Sequence, residues 1–383
     1  MTLGFINKLS NQQLEAATLV KDWYLTKDGS QSFYLAGYAG TGKSTIVKHF
    51  ANSLNLREVV YCAFTGKAAS ILASKGNRPS STVHSLIYNS EIDDQTQKVT
   101  FSLKSKIENN PSLIVLDECS MVNEALYEDI LSYGIKVLIL GDPGQLPPIT
   151  GTSPFGKANY TLTEVHRQSK GSNILKAATQ VRLGLGALDC VASDYELIKA
   201  PMFQKMIVLE AFMKRIAPLE YQVICGRNAT RVALNQLYRR TYGFLTRLPA
   251  QGEKIICLKN NREYGLFNGQ MFTMVSHGLM DNEALDQVAE NKLSSIDCEI
   301  QDDSGKIRMV QIDLRFFLND SLMPQSSPSS PFTYAYAITC HKSQGSQWDN
   351  LIVVDESSCF KELKDKWLYT AITRAAKRIW IIK

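Results

Sequence analysis

The run Gly37-Tyr38-Ala39-Gly40-Thr41-Gly42-Lys43-Ser44 fits G-x-x-x-x-G-K-[ST] and lies between an apolar stretch ending at Ala36 and the helix-like KSTIVKHFANSL. No other feature restricts the fold as tightly, because the pattern works only as a strand, a glycine-rich turn and a helix start in that order. The glycines let backbone N–H groups wrap a phosphate at the helix N-terminus, where the helix dipole also favours an anion. Lys43 adds a point charge toward β- and γ-phosphate oxygens, and Ser44 offers a hydroxyl to a magnesium ion. Gly40, Thr41, Gly42, Lys43, Ser44 and Thr45 are therefore the expected nucleotide-binding set.

The rest of the first half agrees with an α/β fold. The β-branched runs SFYLAG (32–37), EVVYCAFT (58–65), SLIVLDE (112–118) and KVLILGD (136–142) alternate with helical stretches, as in a parallel sheet covered by helices on both faces. Between the second and third runs, LIYNSEIDDQTQKVTF (86–101) reads as an inserted hairpin with an Asp93-Asp94-Gln95-Thr96 turn. YQVICGRN (221–228) and TRVALNQLYRR (230–240) resume the α/β pattern. From Leu248 to about Leu318 the texture is all-β, with turn signals at Asn268-Gly269 and Asp302-Asp303-Ser304-Gly305, so a small barrel is expected inside a second α/β domain. PQSSPSSPF (324–332) reads as the linker back, and YAYAITC, LIVVDE and RIWII complete the second sheet. No repeat of 20–50 residues is present, which excludes solenoids and propellers.

Asp117-Glu118 end an apolar strand, where a carboxylate pair can reach a metal opposite the phosphate loop. Asp117 is the expected magnesium ligand with Ser44, and Glu118 the expected general base for water. The similar string LIVVDE ending in Asp355-Glu356 has no comparable glycine loop before it and reads as a core strand of the second domain. In LGDPGQLPP (140–148), Gln145 is placed to bond the γ-phosphate or its water, with a purely structural proline-bounded turn as the alternative.

These runs, together with LTEVHRQ (162–168), YAITCHKSQGSQWD (336–349) and YTAITRA (369–375), resemble the ordered motif set of superfamily 1 DNA helicases. The sub-branch resembled is that of RecD and phage Dda, and the compact Dda type is nearer because the chain starts directly at the core. The resemblance implies two RecA-like P-loop domains with an inserted pin hairpin and an inserted SH3-like barrel. Residues 1–85 and 107–165 would form the first domain and 86–106 the hairpin; residues 166–247 and 331–383 would form the second domain and 248–330 the barrel.

It further implies that Gln13 reads the adenine edge, that His166 stacks on adenine, and that Arg167 and Arg374 are arginine fingers toward the γ-phosphate. Phe64, Thr65, Lys67, Thr82 and His84 in the first domain, with Thr339, His341, Lys342 and Ser343 in the second, are the implied nucleic-acid contacts. Gly345 belongs to the turn that couples nucleotide state to the strand. Tyr88 or Phe101 would give the pin an apolar surface against parted bases, the alternative being that the hairpin only covers the first sheet. Phe64 stands where the family usually has proline, and Gln347 where an acid is frequent.

Composition removes other classes. Lys plus Arg exceed Asp plus Glu by 42 − 37 = 5, which permits a polyanionic partner without requiring one. Eight dispersed cysteines form no CxxC pair or zinc knuckle, so reduced thiols are expected. No apolar run approaches the roughly 20 residues of a membrane span, and the N-terminal segment lacks a secretory pattern, so the expectation is a cytoplasmic protein of a bacterium or of a phage-infected cell. The combined expectation is an ATP- and Mg²⁺-dependent helicase moving 5′→3′ on single-stranded DNA, the direction being inherited from the resemblance alone. It would act as a monomer at duplex/single-strand junctions, with single-strand-binding, replication or recombination proteins as further partners. A nucleotide-gated DNA-binding subunit of a larger complex, a small-molecule P-loop kinase and an RNA helicase are the competing classes.

Overall fold

The computed structural model describes the chain apart from residues 1–8, 55, 57, 93–98, 166–171, 202–203, 215–219, 245, 247, 262, 278–293, 320–321 and 323–328. Its described residues form two compact units, one within Met1–Phe64, Ala68–Asn89 and Phe101–Ser172, the other within Thr65–Lys67, Ser90–Thr100 and Asn173–Lys383.

The first unit contains α1 (Asn11–Leu25), β1 (Ser32–Gly37), α2 (Lys43–Ser53), β2 (Val59–Ala63), α3 (Gly66–Ser74), β3 (Ser80–Thr82) and α4 (Val83–Ile87). After β4 (Tyr88–Ile92) and β5 (Val99–Leu103) come β6 (Leu113–Asp117), α5 (Glu124–Leu131), β7 (Lys136–Gly141) and β8 (Tyr160–Leu162). Six strands pair in the order β3-β2-β6-β7-β1-β8, all parallel. The period of two along each strand divides the side chains between two cores. Phe33 and Leu35 pack with Ala16, Val20, Ile46 and Phe50 of α1 and α2, whereas Tyr34 and Ala36 pack with Val83, Leu126 and Ile130 of α4 and α5. Each fully buried Leu, Ile or Phe contributes about 1.5–3 kcal/mol, and burial on both faces is the reason these strands read as continuous apolar runs.

The strands β4 and β5 form a separate two-stranded sheet. The turn expected at Asp93-Asp94-Gln95-Thr96 lies outside the described residues. Leu86 and Ile87, expected to open the hairpin, are instead helical, because the Thr82 side chain caps α4 by accepting from the Ser85 N–H.

The second unit contains α6 (Asn173–Arg182), β9 (Tyr195–Ile198), α7 (Lys205–Met213), β10 (Gln222–Cys225), α8 (Asn228–Thr241), β11 (Lys254–Cys257), β12 (Met271–His277), β13 (Ser295–Asp302) and β14 (Ile307–Asp313). It ends with α9 (Arg315–Leu318), β15 (Ser330–Tyr334), β16 (Ala337–Thr339), α10 (Cys340–Ser343), β17 (Trp348–Val354), α11 (Lys364–Ile372) and β18 (Ala375–Ile382). A parallel sheet of order β16-β10-β17-β18-β9 carries a closed barrel, β11-β12-β13-β14-β15, and one apolar core joins the two through Tyr238, Tyr336, Phe272 and Phe332.

Two expectations for the barrel are corrected. The Pro/Ser stretch is not all linker: its end is β15, whose five residues are buried and which closes the barrel against β11 and β14. Asn268-Gly269 does not join adjacent strand ends. It lies at the return of a longer loop after Cys257, with Gly269 at φ 85° and its N–H donating to the Cys257 carbonyl. The turn at Asp302–Gly305 does join β13 to β14, and the Asp302 carboxylate accepts from the Ser304 and Lys306 N–H groups. Among the described residues, no helix is long and apolar enough to cross a membrane.

Candidate nucleotide-binding site

A parallel sheet brings all its strand C-termini to one edge, where α/β folds bind ligands. In the first unit β1 pairs with β7 and β7 with β6, so the turns after Gly37, Asp117 and Gly141 emerge side by side. Local chemistry shapes each turn. Gly42 stands at φ 83°, and a Cβ there would come 2.4 Å from Gln13 Nε2; at Gly37 a Cβ would lie 2.6 Å from Thr41 Oγ1. Only glycine fits either place. Thr41 is fully buried, and its hydroxyl donates to the Tyr38 carbonyl, so its side chain shapes the loop. Lys43 Nζ donates to the Gly37 carbonyl at 2.6 Å, curled over the loop that it would release for a phosphate. Ser44 and Thr45 fall in the first turn of α2.

Lys43 also acts on the Asp117 carboxylate. Burial and the neighbouring Glu118 push the Asp117 carboxyl up to about 6, while the Lys43 ammonium pulls it down. Asp117 Oδ1 accepts from the Glu118 N–H at 2.9 Å, and Glu118 holds left-handed angles of φ 53° and ψ 49°. Beside them, Asp142 Oδ1 accepts from the Gly144 N–H at 2.9 Å and fixes the turn that buries Gln145. Gln145 Oε1 is buried with no hydrogen-bond partner among the described residues. An acceptor in that condition favours a donor such as the attacking water of a phosphoryl transfer. Among the described residues no group of three or more His, Cys, Asp or Glu could hold a metal. The donor set of one hydroxyl and one carboxylate suits magnesium, which keeps waters and shares substrate phosphates; Ser44 and Asp117 would hold it.

Gln13 lies against this loop. Its Nε2 donates to the Thr41 carbonyl at 3.1 Å, and its Oε1 accepts from the Ser10 N–H in a capping box that starts α1. Gln12, not singled out by the sequence, accepts from the Thr163 and Glu164 N–H groups, both at 2.9 Å, and so joins α1 to the segment leading to His166 and Arg167. His166 and Arg167 themselves lie outside the described residues.

The remaining candidates divide by burial. Phe64, His84, Tyr88 and Phe101 form one aromatic cluster, with His84 5.8 Å from Phe64, 5.7 Å from Tyr88 and 6.0 Å from Phe101. Tyr88 and Phe101 thus stand at the root of the two-stranded sheet, where Tyr88 donates to Asp129 and Phe101 is 57% exposed. Burial lowers the His84 pKa. Thr82 is buried as the α4 cap, whereas Thr65 and Lys67 are half-buried around the start of α3.

In the second unit Thr339, His341 and Lys342 are half-buried, and burial lowers the pKa of both His341 and Lys342. Lys342 donates to Asn268, and His341 stands 5.9 Å from Phe360. Ser343 is fully buried and donates to the Cys340 carbonyl, shaping the turn that Gly345 completes at φ 76°. Arg374 is buried with its guanidinium donating to the Thr370 and Ser346 carbonyls and to Thr373 Oγ1. Among the described residues no carboxylate pairs with it, so its charge is held by neutral oxygens only. Glu356 is structural, as expected: its carboxylate accepts from the Gly226 and Arg227 N–H groups and from Thr230 at the start of α8.

Comparison with known proteins agrees with this arrangement. The AAA domain family matches residues 8–196, and the UvrD-like helicase C-terminal domain family matches residues 334–382. Together with the relatives below, these matches support a superfamily 1 helicase likeness of the RecD/Pif1 type. The chain is 26% identical over 375 residues to the ATP-dependent RecD2 DNA helicase of Deinococcus radiodurans, covering 92% of this chain and 47% of that protein. It is 25% identical over 397 residues to the ATP-dependent DNA helicase Pif1 of Bdellovibrio bacteriovorus, covering 90% of this chain and 81% of the relative. The chain thus spans less than half the length of its RecD2 relative. Bacteroides Pif1 bound to single-stranded DNA shares the fold, with a TM-score of 0.58 at 18% identity over 98% of this chain and 92% of that one. The signals missed in the sequence are Gln12 and the residues packed beneath the phosphate turns, which carry no motif of their own.

Proposed function

We propose that the chain is an ATP-dependent DNA helicase that moves 5′→3′ along single-stranded DNA and parts duplex DNA ahead of it. The observation that carries this reading is the convergence of Lys43, Asp117, Glu118 and the Gln145 side-chain oxygen, unpaired among the described residues, at one sheet edge, in a chain with this family's likeness. In hydrolysis the oxygen of a water attacks the γ-phosphorus, the β–γ bridging bond breaks toward ADP, and the water's proton passes to the Glu118 carboxylate. Lys43 leaves its loop carbonyls for the β/γ oxygens, and the Gln145 amide orients the water. Ser44 and Asp117 would hold magnesium, which would supply charge neutralisation on the phosphates when bound. Arg167 and Arg374 add positive charge for the charge that develops on the transferring group, as in the resembled family.

Phe64, His84, Tyr88 and Phe101 offer rings for bases to stack on, at roughly 1–3 kcal/mol per base, and Thr65, Lys67, Thr339, His341 and Lys342 serve the strand's backbone. The two-stranded sheet above that cluster is the strand-separating pin. The substrates are single-stranded DNA and duplex/single-strand junctions, the active form is a monomer, and the compartment is the cytoplasm. Strand separation on duplexes carrying a 5′ or a 3′ tail tests the reading. Unwinding of the 5′-tailed duplex alone is expected. DNA-stimulated hydrolysis without unwinding of either would assign a nucleotide-gated binding subunit instead, and unwinding only from a 3′ tail would reverse the direction.

A further inference from the structure

Beneath the three phosphate turns lies a side-chain junction that no motif includes. Tyr34 sits on β1, three residues before Gly37, with its ring on the α4/α5 side of the sheet. Its hydroxyl donates to Cys119 Sγ, the residue after Glu118, and lies close enough to Asp142 to feel its charge. The sulfur in turn rests on the end of β7: a Cβ at Gly141 would come 2.3 Å from Cys119 Sγ and 3.3 Å from Tyr34 Oη. Both side chains are buried, and the Tyr34 ring is braced by Phe155 at 5.5 Å. One hydroxyl and one sulfur therefore touch the strand that feeds the phosphate loop, the turn that carries Glu118 and the turn that carries Gln145.

We propose that Tyr34 and Cys119 are positioning residues for phosphoryl transfer, setting the Glu118 turn against the Gln145 turn through the space left by Gly141. This rests on the hydrolytic reading above. Glu118 holds a left-handed conformation that its own side chain does not favour, so the residue after it must be fixed from below. The Tyr34 hydrogen bond fixes the Cys119 sulfur, and the sulfur fixes the distance to β7. Neither residue meets the nucleotide, so loosening them displaces the base and the water-orienting amide without disturbing Lys43 or the loop N–H groups.

The experiment measures single-stranded-DNA-stimulated ATP hydrolysis by the full chain and by Tyr34→Phe, Cys119→Ser and Cys119→Val, with thermal unfolding of each. Tyr34→Phe and Cys119→Val are expected to lower kcat about tenfold with KM for ATP within about twofold, since a displacement near 1 Å costs up to 10²-fold. Cys119→Ser, which keeps an acceptor for the tyrosine, is expected to recover most of the rate. A Tyr34→Phe protein that melts lower but turns over normally would overturn the proposal and leave a packing role only, as would kcat and KM changing in proportion. If Cys119→Val does not fold, Tyr34→Phe decides alone. Absence of hydrolysis in the parent chain would sink the hydrolytic reading and this inference with it, an outcome distinct from normal turnover in the variants.

Discussion

Asp117 illustrates how a candidate metal-binding carboxylate works against the fold that holds it. Its carboxyl is pushed up to about 6, first by burial and then by Glu118, and Lys43 and the Glu118 N–H offset only part of this. The folded-state value lies above the unfolded one, so the folded protein favours the proton. The cost is absent at pH values below the unfolded carboxylate range and grows as pH rises through about 6. Asp117→Asn keeps an oxygen for the Glu118 N–H and removes the charge. It is expected to stabilise the nucleotide-free, metal-free protein at pH 8 by on the order of 1–3 kcal/mol, with the gain vanishing near pH 4. Denaturant unfolding at the two pH values checks this, and equal or lower stability at pH 8 would contradict it. The same variant should lose hydrolysis, because its amide oxygen is a weaker metal ligand. Glu118 bears a second local cost, about 1–2 kcal/mol for a non-glycine residue in left-handed angles.

Elements meet in the second unit through one buried ion pair. Arg239 of α8 donates to both oxygens of Glu253, at 2.7 and 3.0 Å, just before β11, and its guanidinium lies 4.3 Å over the Tyr334 ring of β15. Glu253 also accepts from the Ala250 N–H and the Tyr336 hydroxyl, and Tyr336 stacks on Tyr238 at 3.6 Å. Helix, barrel and sheet are thereby fastened at a single point. Glu253→Ala strands a buried guanidinium and is expected to cost about 3–5 kcal/mol, measured by chemical denaturation. Glu253→Leu combined with Arg239→Met should recover much of that loss, since it removes both charges and keeps apolar volume. If the double variant is no more stable than Glu253→Ala, the ion pair is not the source of the cost. The sequence marked neither residue.

For the whole molecule, the proposed function separates chemistry from grip. Lys43→Ala removes the charge on the phosphates and none of the nucleic-acid candidates, so hydrolysis should fall by at least about 10²-fold while single-stranded DNA still binds without nucleotide. Fluorescence anisotropy of a labelled strand beside a turnover assay checks both, and retained turnover would contradict the role of Lys43. The glycine turn, Asp117-Glu118 and the parallel strands were legible in the sequence, because each is fixed by neighbours in the chain: glycine angles, a period of two, a carboxylate at a strand end. The Pro/Ser stretch misled, since composition says loop while the buried row Ser330–Tyr334 has partners on β11 and β14 that no local signal announces. Ser343 and Thr82, singled out by their motifs, also support a turn and cap a helix, roles that no motif announces. Tyr34, Cys119 and Gly141 are far apart in the chain, and only the pairing of β6, β7 and β1 brings them together. The sequence by itself determined which turns can hold a phosphate, since that depends on local backbone freedom. The tertiary structure decided what holds those turns in place, because burial and strand pairing join residues that no local rule relates.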